Sequence, residues 1–384
     1  MTPLIVFSHL RWEFVYQRPQ QLMSRLAGQE FFVLFVEEPA WSDGPPYLEC
    51  IPKGPNLHVL VPHTPSRAPG FHDDQLPWLR ALLDAHLQQH DLQECVAWFY
   101  TPMALPLIAR AEPELVVYDC MDELSAFKGA PRELRQREAA LLAVADLVFT
   151  VGPTLFEAKR KLHPNVHYLP SAVDAEHFAP PHVRHDPQAE QAARLLEGVP
   201  HPRLGYFGVI DERLDLALLE AVAAARPQWQ LVMVGPVVGI DASALPHRPN
   251  IHWLGLQPYA RLPHLLASWD VCLMPFALNE VTRFVSPTKT LEYLAGEKPV
   301  VSTPVPDVVS LYGDVVRIAR GSTEFIDACA AALAETPAQR NQRLGRMVTT
   351  MHRMSWTQHA QQVGNLLKAR LRELSAAPAL AEAG

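Results

Sequence analysis

The chain has no closely spaced cysteine pair. Cys50, Cys95, Cys120, Cys272 and Cys329 are scattered, and no CxxC occurs. That excludes a zinc ribbon and a dithiol redox motif, and fits reduced, mostly buried thiols in a cytosolic protein. Charge is sparse, at 19% of residues, and the net charge is −8. A nucleic-acid binder would need a basic face that this balance does not supply. No hydrophobic run approaches the ~20 residues of a membrane-spanning helix. Met1–Phe7 has no basic n-region and runs directly into Ser8-His9, so it reads as a strand and not as a signal peptide. Neither GxGxxG nor GxxxxGK[ST] is present, which removes the common dinucleotide and P-loop readings. Two histidine pairs have i,i+4 spacing, His86 with His90 and His163 with His167. Neither has the glutamate and third ligand of a zinc site, so no metal is expected and solvated histidines are the plainer reading.

What the chain does have is length and rhythm. At 384 residues it exceeds what one core usually supports, so two domains are expected. Short apolar runs alternate with helical patterns. Leu4–Phe7, Phe31–Val36, Val59–Val61, Cys95–Phe99, Leu115–Tyr118, Leu147–Val151 and Val166–Leu169 read as strands, with helices at Arg18–Leu26 and Leu134–Ala145. Prolines then interrupt a polar, Ala-rich stretch between Ala179 and Pro202, which reads as a linker with room for one short helix. The rhythm restarts with strands at Leu204–Phe207, Gln230–Val234, Ile251–Leu254, Val271–Met274, Val300–Ser302 and Val315–Ile318. Helices are expected at Leu214–Ala225, Arg261–Ser268, Pro287–Ala295, Ser322–Glu335 and Thr357–Leu374. The fold class is therefore α/β, with two doubly wound parallel sheets in series. The expected division is 1–180, a linker 181–202, 203–352, a final helix 353–375 and a disordered tail 376–384. In such sheets ligands bind outside the carboxyl ends of the strands, here in a cleft between the two domains.

The segment after Met274 is the richest in chemistry. Ser286-Pro287 has the form of an N-cap followed by proline at the first helical position, and Gly296 and Pro299 close the helix. Its free N–H groups near Thr288 and Lys289 would form an anion site, to which Lys289 adds a full charge. Glu292 lies three residues on, about 4.5 Å further along the axis, roughly the step from a diphosphate to its ribose. A capped helix with an exposed Lys–Glu pair would show the same pattern. Further back, Gly208 ends a strand where a backbone could approach a ligand closely. Arg213 follows near a helix start and could fork onto a phosphate, or pair instead with Asp215 or Glu212.

These segments carry a resemblance. LGYFGVIDERLDLALL, NIHWLGLQPYARLPHLLASWDVCLMPF and SPTKTLEYLAGEKPVVSTPVPDV together resemble the donor lobe of GT-B glycosyltransferases of the group 1, GT4-like kind. SHLRWEFVYQRPQQLMSRLA and VVYDCMDELSAF look like bacterial exopolysaccharide and teichuronic-acid-type members, so the likeness covers nearly the whole chain. It implies two Rossmann-like domains and a C-terminal helix crossing back to the N-terminal lobe. It implies a nucleotide-diphosphate sugar of UDP or GDP type as co-substrate, with no other cofactor. Arg213 and Lys289 would hold its pyrophosphate and Glu292 its ribose, while Gly255-Leu256-Gln257 would hold the base through the backbone. The first glutamate of the family's E-x7-E motif falls at Phe284, with Glu280 nearby but out of register. No DxD occurs, so positive side chains and a helix end would replace a metal bridge.

The N-terminal half would take the acceptor, a glycan or lipid-linked hydroxyl met in the cytoplasm, with peripheral contact at the inner membrane face. His9 and Arg11 follow the first strand, and Gln17 and Arg18 open the next helix. Asp119, Asp122 and Glu123 crowd the end of another strand, which would raise the pKa of at least one if they were buried together. Asp122 is the expected base, with Asp119 its rival; either could instead cap the next helix. Three functions remain open: sugar transfer, nucleotide-sugar 2-epimerisation on a related fold, and a non-catalytic partner that binds nucleotide sugar.

Overall fold

A computed structural model describes residues 1–92, 94–108, 113–180, 186–352 and 354–381, with 377–381 described by backbone alone. The chain forms two compact units, Met1–Pro170 with Trp356–Gly384, and Ser171–Ser355.

The first unit is built on β1 (Thr2–Phe7), β2 (Phe31–Val36), β3 (Ala40–Trp41), β4 (Tyr47–Gly54), β5 (Leu57–Thr64), β6 (Val96–Phe99), β7 (Leu115–Cys120), β8 (Leu147–Thr150) and β9 (Val166–Tyr168). The sheet order is β3-β5-β2-β1-β6-β7-β8-β9, with β4 antiparallel on β5 and the other pairs parallel. Strands such as FFVLFV are apolar throughout because both sheet faces are covered by helices. Helix Arg18–Ala27 buries Leu22, Met23 and Leu26 and packs beside helix Trp356–Ala381. Gly364 allows that approach: a Cβ there would collide with the Gln29 side chain. The C-terminal helix therefore belongs to the first unit. No helix among the described residues is long and apolar enough to cross a membrane.

The second unit holds β10 (Arg203–Phe207), β11 (Gln230–Val234), β12 (Ile251–Trp253), β13 (Val271–Met274), β14 (Val300–Ser302) and β15 (Arg317–Ile318). All pair in parallel in the order β12-β11-β10-β13-β14-β15. Counted from its first strand this is 3-2-1-4-5-6, whose direction reverses between β10 and β13. Ligands enter at the carboxyl ends of that pair in sheets of this order.

The boundaries differ from expectation in three places. The expected linker is part of the second unit: Asp186 caps helix Pro187–Leu195 through the Gln188 N–H at 2.8 Å, and Leu196 and Val199 join the buried core. The chain passes between units after Pro170 and again after Ser355, and the Val173 N–H bonds the Met354 carbonyl beside both crossings. The expected disordered tail is helical as far as Ala381. Positions 181–185 of the expected linker, 353 at the start of the expected last helix, and 382–384 of the tail lie outside the described residues.

Candidate functional site

At the end of β10, Gly208 sits at φ 141°, and its N–H bonds the Val234 carbonyl. Gly235, at φ 146°, lies against the Gly208 carbonyl so closely that no Cβ could fit. The loop then turns through Asp211, which receives the Arg213 backbone N–H and Nε at 2.9 Å each, and Nη2 at 2.6 Å. Asp211 is a partner for Arg213 beyond the Glu212 and Asp215 that the sequence offered. Asp215 caps helix Leu216–Ala225 through the Leu218 N–H. A phosphate reaching Arg213 would share its guanidinium with Asp211.

Helix Lys289–Ala295 is fastened to both strands of the switch point. Tyr293 Oη accepts the Phe207 N–H at 3.0 Å, and the Thr290 hydroxyl donates to Met274 Sδ at 3.3 Å. This anchoring aims Lys289 across Gly208: a methyl on that glycine would stand 2.8 Å from Lys289 Cε and 3.2 Å from Nζ. The helix starts two residues later than Ser286-Pro287 suggests. Thr288 occupies the cap position with helical backbone and no side-chain cap bond, while the Pro287 carbonyl accepts the Thr290 N–H. Ser286 and Pro287 are lead-in residues. Glu292 is half-buried one turn along. Burial pushes its carboxyl up to about 7, against the opposing pull of the Lys289 charge.

The remaining donor-side residues are less engaged. Leu256 is half exposed, after Gly255 at φ 64°. Gln257 is turned back on its own loop, donating to the Leu254 carbonyl at 2.7 Å and accepting from Arg261 at 2.6 Å. Glu280 is a surface carboxylate, 3.9 Å from Arg283. Phe284 lies under the Arg283 guanidinium.

In the first unit, His9 follows β1 beside Tyr100. Burial lowers its pKa to about 4 despite the Tyr100 backbone contact, so it is neutral at pH 7. Arg11 donates to Glu37 at 3.0 Å and to the Pro39 carbonyl, and Glu37 also receives the Trp12 N–H. Gln17 opens helix Arg18–Ala27, its N–H bonding Gln20.

The three crowded carboxylates are parted by their partners. Asp119 is fully buried in a bidentate pair with Arg18, which also donates to the Leu169 carbonyl. This removes Asp119 as a base and Arg18 as an acceptor contact: neither reaches solvent, and the carboxylate is committed to the guanidinium. Glu123 accepts from Lys159 at 2.8 Å and from Ser125, and Lys159 also holds Glu138, which accepts the Tyr118 hydroxyl. Glu123 therefore braces the loop. Asp122 remains half-exposed at the end of β7, where its carbonyl takes the Cys120 thiol contact.

Of the histidine pairs, His86 and His90 keep their rings 4.6 Å apart. His163 is not solvated; it bonds the Ala145 carbonyl and the Asn165 N–H. Among the described residues no three His, Cys, Asp or Glu gather as metal ligands. Sequence reasoning missed Lys159, Tyr206, Phe276 and Tyr293, whose importance rests on contacts made across many residues. Only the apolar flanks of β10 and β13 hinted that the rings at 206 and 276 would be buried.

Residues 201–335 match the family model described as "Glycosyl transferases group 1". The TuaH protein of Bacillus subtilis (strain 168), named for teichuronic acid biosynthesis as a glycosyltransferase, is 27% identical over 263 residues. That match covers 63% of this chain and 64% of TuaH, so just under two thirds of the relative is represented. Among solved structures, sucrose-phosphate synthase from Thermosynechococcus elongatus superposes with a TM-score of 0.77 at 17% identity, covering 98% of this chain and 100% of that one. HepE of Anabaena, solved with UDP-glucose, gives 0.68 at 13% identity, covering 96% and 100%.

Proposed function

We propose that this chain, a group 1 glycosyltransferase of the GT-B fold, moves a sugar from a nucleotide-diphosphate donor to a hydroxyl of a glycan or lipid-linked acceptor in cell-surface polysaccharide synthesis. One observation carries the donor assignment: helix Lys289–Ala295 is bolted to β10 and β13 so that Lys289 crosses Gly208 at the switch point, with Glu292 one turn behind. A diphosphate beside Lys289 would meet a full positive charge, Arg213 from the β10 loop, and Gly208 where backbone can approach. Glu292 would accept the ribose hydroxyls. UDP is the first nucleotide to test, since HepE was solved with UDP-glucose.

On the acceptor side, Asp122 is the group proposed to take the hydroxyl proton, because it is half-exposed just after β7 whereas Asp119 is fully buried against Arg18. His9, neutral at pH 7, would hydrogen-bond the acceptor without adding charge. A lipid-linked acceptor would be met peripherally, at the cytoplasmic face of the membrane.

The test is incubation with UDP- and GDP-sugars and candidate acceptors, followed by mass analysis. Label transferred to acceptor supports the assignment. Isomerised sugar without transfer would replace it with epimerisation, and binding without turnover would make the chain a non-catalytic partner.

A further inference from the structure

We propose that Tyr206 and Phe276 are positioning residues that hold the Lys289 ammonium over their ring faces, where a diphosphate is to be received. This rests on the donor-site reading above. Lys289 Nζ lies 5.5 Å from the Tyr206 ring centre and 5.3 Å from that of Phe276, within the range of cation–π attraction. Both rings are buried, at 1% and 2% exposure, and meet edge to face at 79° with centres 6.5 Å apart.

Each ring is fixed independently of the lysine. The Tyr206 hydroxyl donates to the Val209 carbonyl at 3.0 Å, and the Phe276 N–H bonds Thr303 Oγ1 at 3.1 Å. One ring rides on β10 and the other directly follows β13, the two strands that open the switch point. A lysine stem is flexible, and ordering it costs entropy that a phosphate would otherwise have to offset on binding. Quadrupolar ring faces attract and confine the ammonium without adding a negative charge of their own. Gly208 completes the cradle, because any side chain there would occupy the path of the lysine stem and the Tyr206 hydroxyl.

The experiment measures UDP affinity by calorimetry and uridine affinity by ligand-observed NMR, in the parent and in Lys289→Ala, Phe276→Leu, Phe276→Met and Phe276→Tyr. Phe276→Met fills the space without a ring, and thermal melts establish which variants fold. Phe276→Leu and Phe276→Met should bind UDP roughly three- to thirtyfold more weakly. Their uridine affinity should match the parent, and Phe276→Tyr should bind UDP as the parent does. Weakening by Lys289→Ala with parental UDP binding in both ring-free variants overturns the cradle and leaves the donor site standing. Equal losses for UDP and uridine overturn it in favour of a purely structural ring. Parental UDP binding in Lys289→Ala overturns the donor site itself, and the cradle with it.

Discussion

The guanidinium of Arg18 and the carboxylate of Asp119, 101 positions apart, meet in a bidentate pair from which solvent is excluded. Both oxygens of Asp119 are taken, and Arg18 spends a further donor on the Leu169 carbonyl just before the chain leaves the first unit. Asp119→Asn would leave the Arg18 charge buried and only partly satisfied, and should lower stability by about 3–5 kcal/mol. Urea unfolding followed by tryptophan fluorescence reads the loss. A parental unfolding midpoint combined with collapsed turnover would return Asp119 to the chemistry.

Gly208→Ala tests the lysine path. The new methyl would meet Lys289 Cε at 2.8 Å and Tyr206 Oη at 2.9 Å, on a backbone at φ 141° that side chains rarely adopt. Displacing the lysine should weaken UDP binding by roughly 1.5–3 kcal/mol, the scale of a charge-assisted contact. Gly239→Ala is the control: it strains a backbone at φ 69° but meets nothing within 4 Å. Calorimetry that finds equal UDP affinity in the two variants would show that strain, and not the lysine, governs the loss.

If Glu292 holds the ribose, its half-buried carboxyl should give binding a pH dependence. Its pKa in the folded chain, about 7, lies above the ~4.3 of an unfolded glutamate. The native state therefore keeps a proton that the unfolded chain has lost, and this group's contribution to stability falls as pH rises from ~4.3 towards 7. Ribose hydroxyls favour the ionised form, so binding should show the opposite trend. Affinity for UDP-glucose, whose diphosphate does not titrate near neutrality, should rise between pH 6 and pH 8 and flatten in Glu292→Gln. A parent whose affinity is already flat across that window would remove Glu292 from the ribose.

Asp122→Asn keeps shape and removes basicity. If Asp122 takes the acceptor proton, kcat should fall roughly 10²–10⁴-fold with donor affinity nearly intact. A change confined to acceptor KM would make it a binding residue instead.

If Lys289 and Arg213 meet the diphosphate charge as proposed, no bridging ion is required. Transferase activity should accordingly persist in EDTA. Loss on chelation that magnesium or manganese restores would reject this account.

Much of the fold was legible because its strands are buried on both faces. Phe31–Val36 and Val271–Met274 are uninterrupted apolar runs, Gln230–Val234 and Val300–Ser302 are apolar but for one terminal residue each, and the ends of all four match the structure. Strand Tyr47–Gly54 was not legible: it lies mostly exposed at the sheet margin and carries Pro52, so it lacks both alternation and a continuous run. Pro187 reads as an interruption in the sequence, yet after Asp186 it is the first residue of a helix. Ser286-Pro287 shows the reverse error, a helix signature whose helix begins later. At the site, residue types pointed to Lys289 and Glu292, but no spacing rule could show that Asp211 would hold Arg213 or that Arg18 would bind Asp119. Those pairings depend on how the loops close.

The division of the first unit between the two ends of the chain sets an order of birth. On the ribosome its strands emerge first, but the face of helix Arg18–Ala27 that receives helix Trp356–Ala381 stays bare until the codons for that later helix are read. The second unit, encoded without interruption between those parts, can close its own sheet while the first still waits. A nascent chain stalled shortly before Trp356 would thus hold a finished second unit and an unfinished first one.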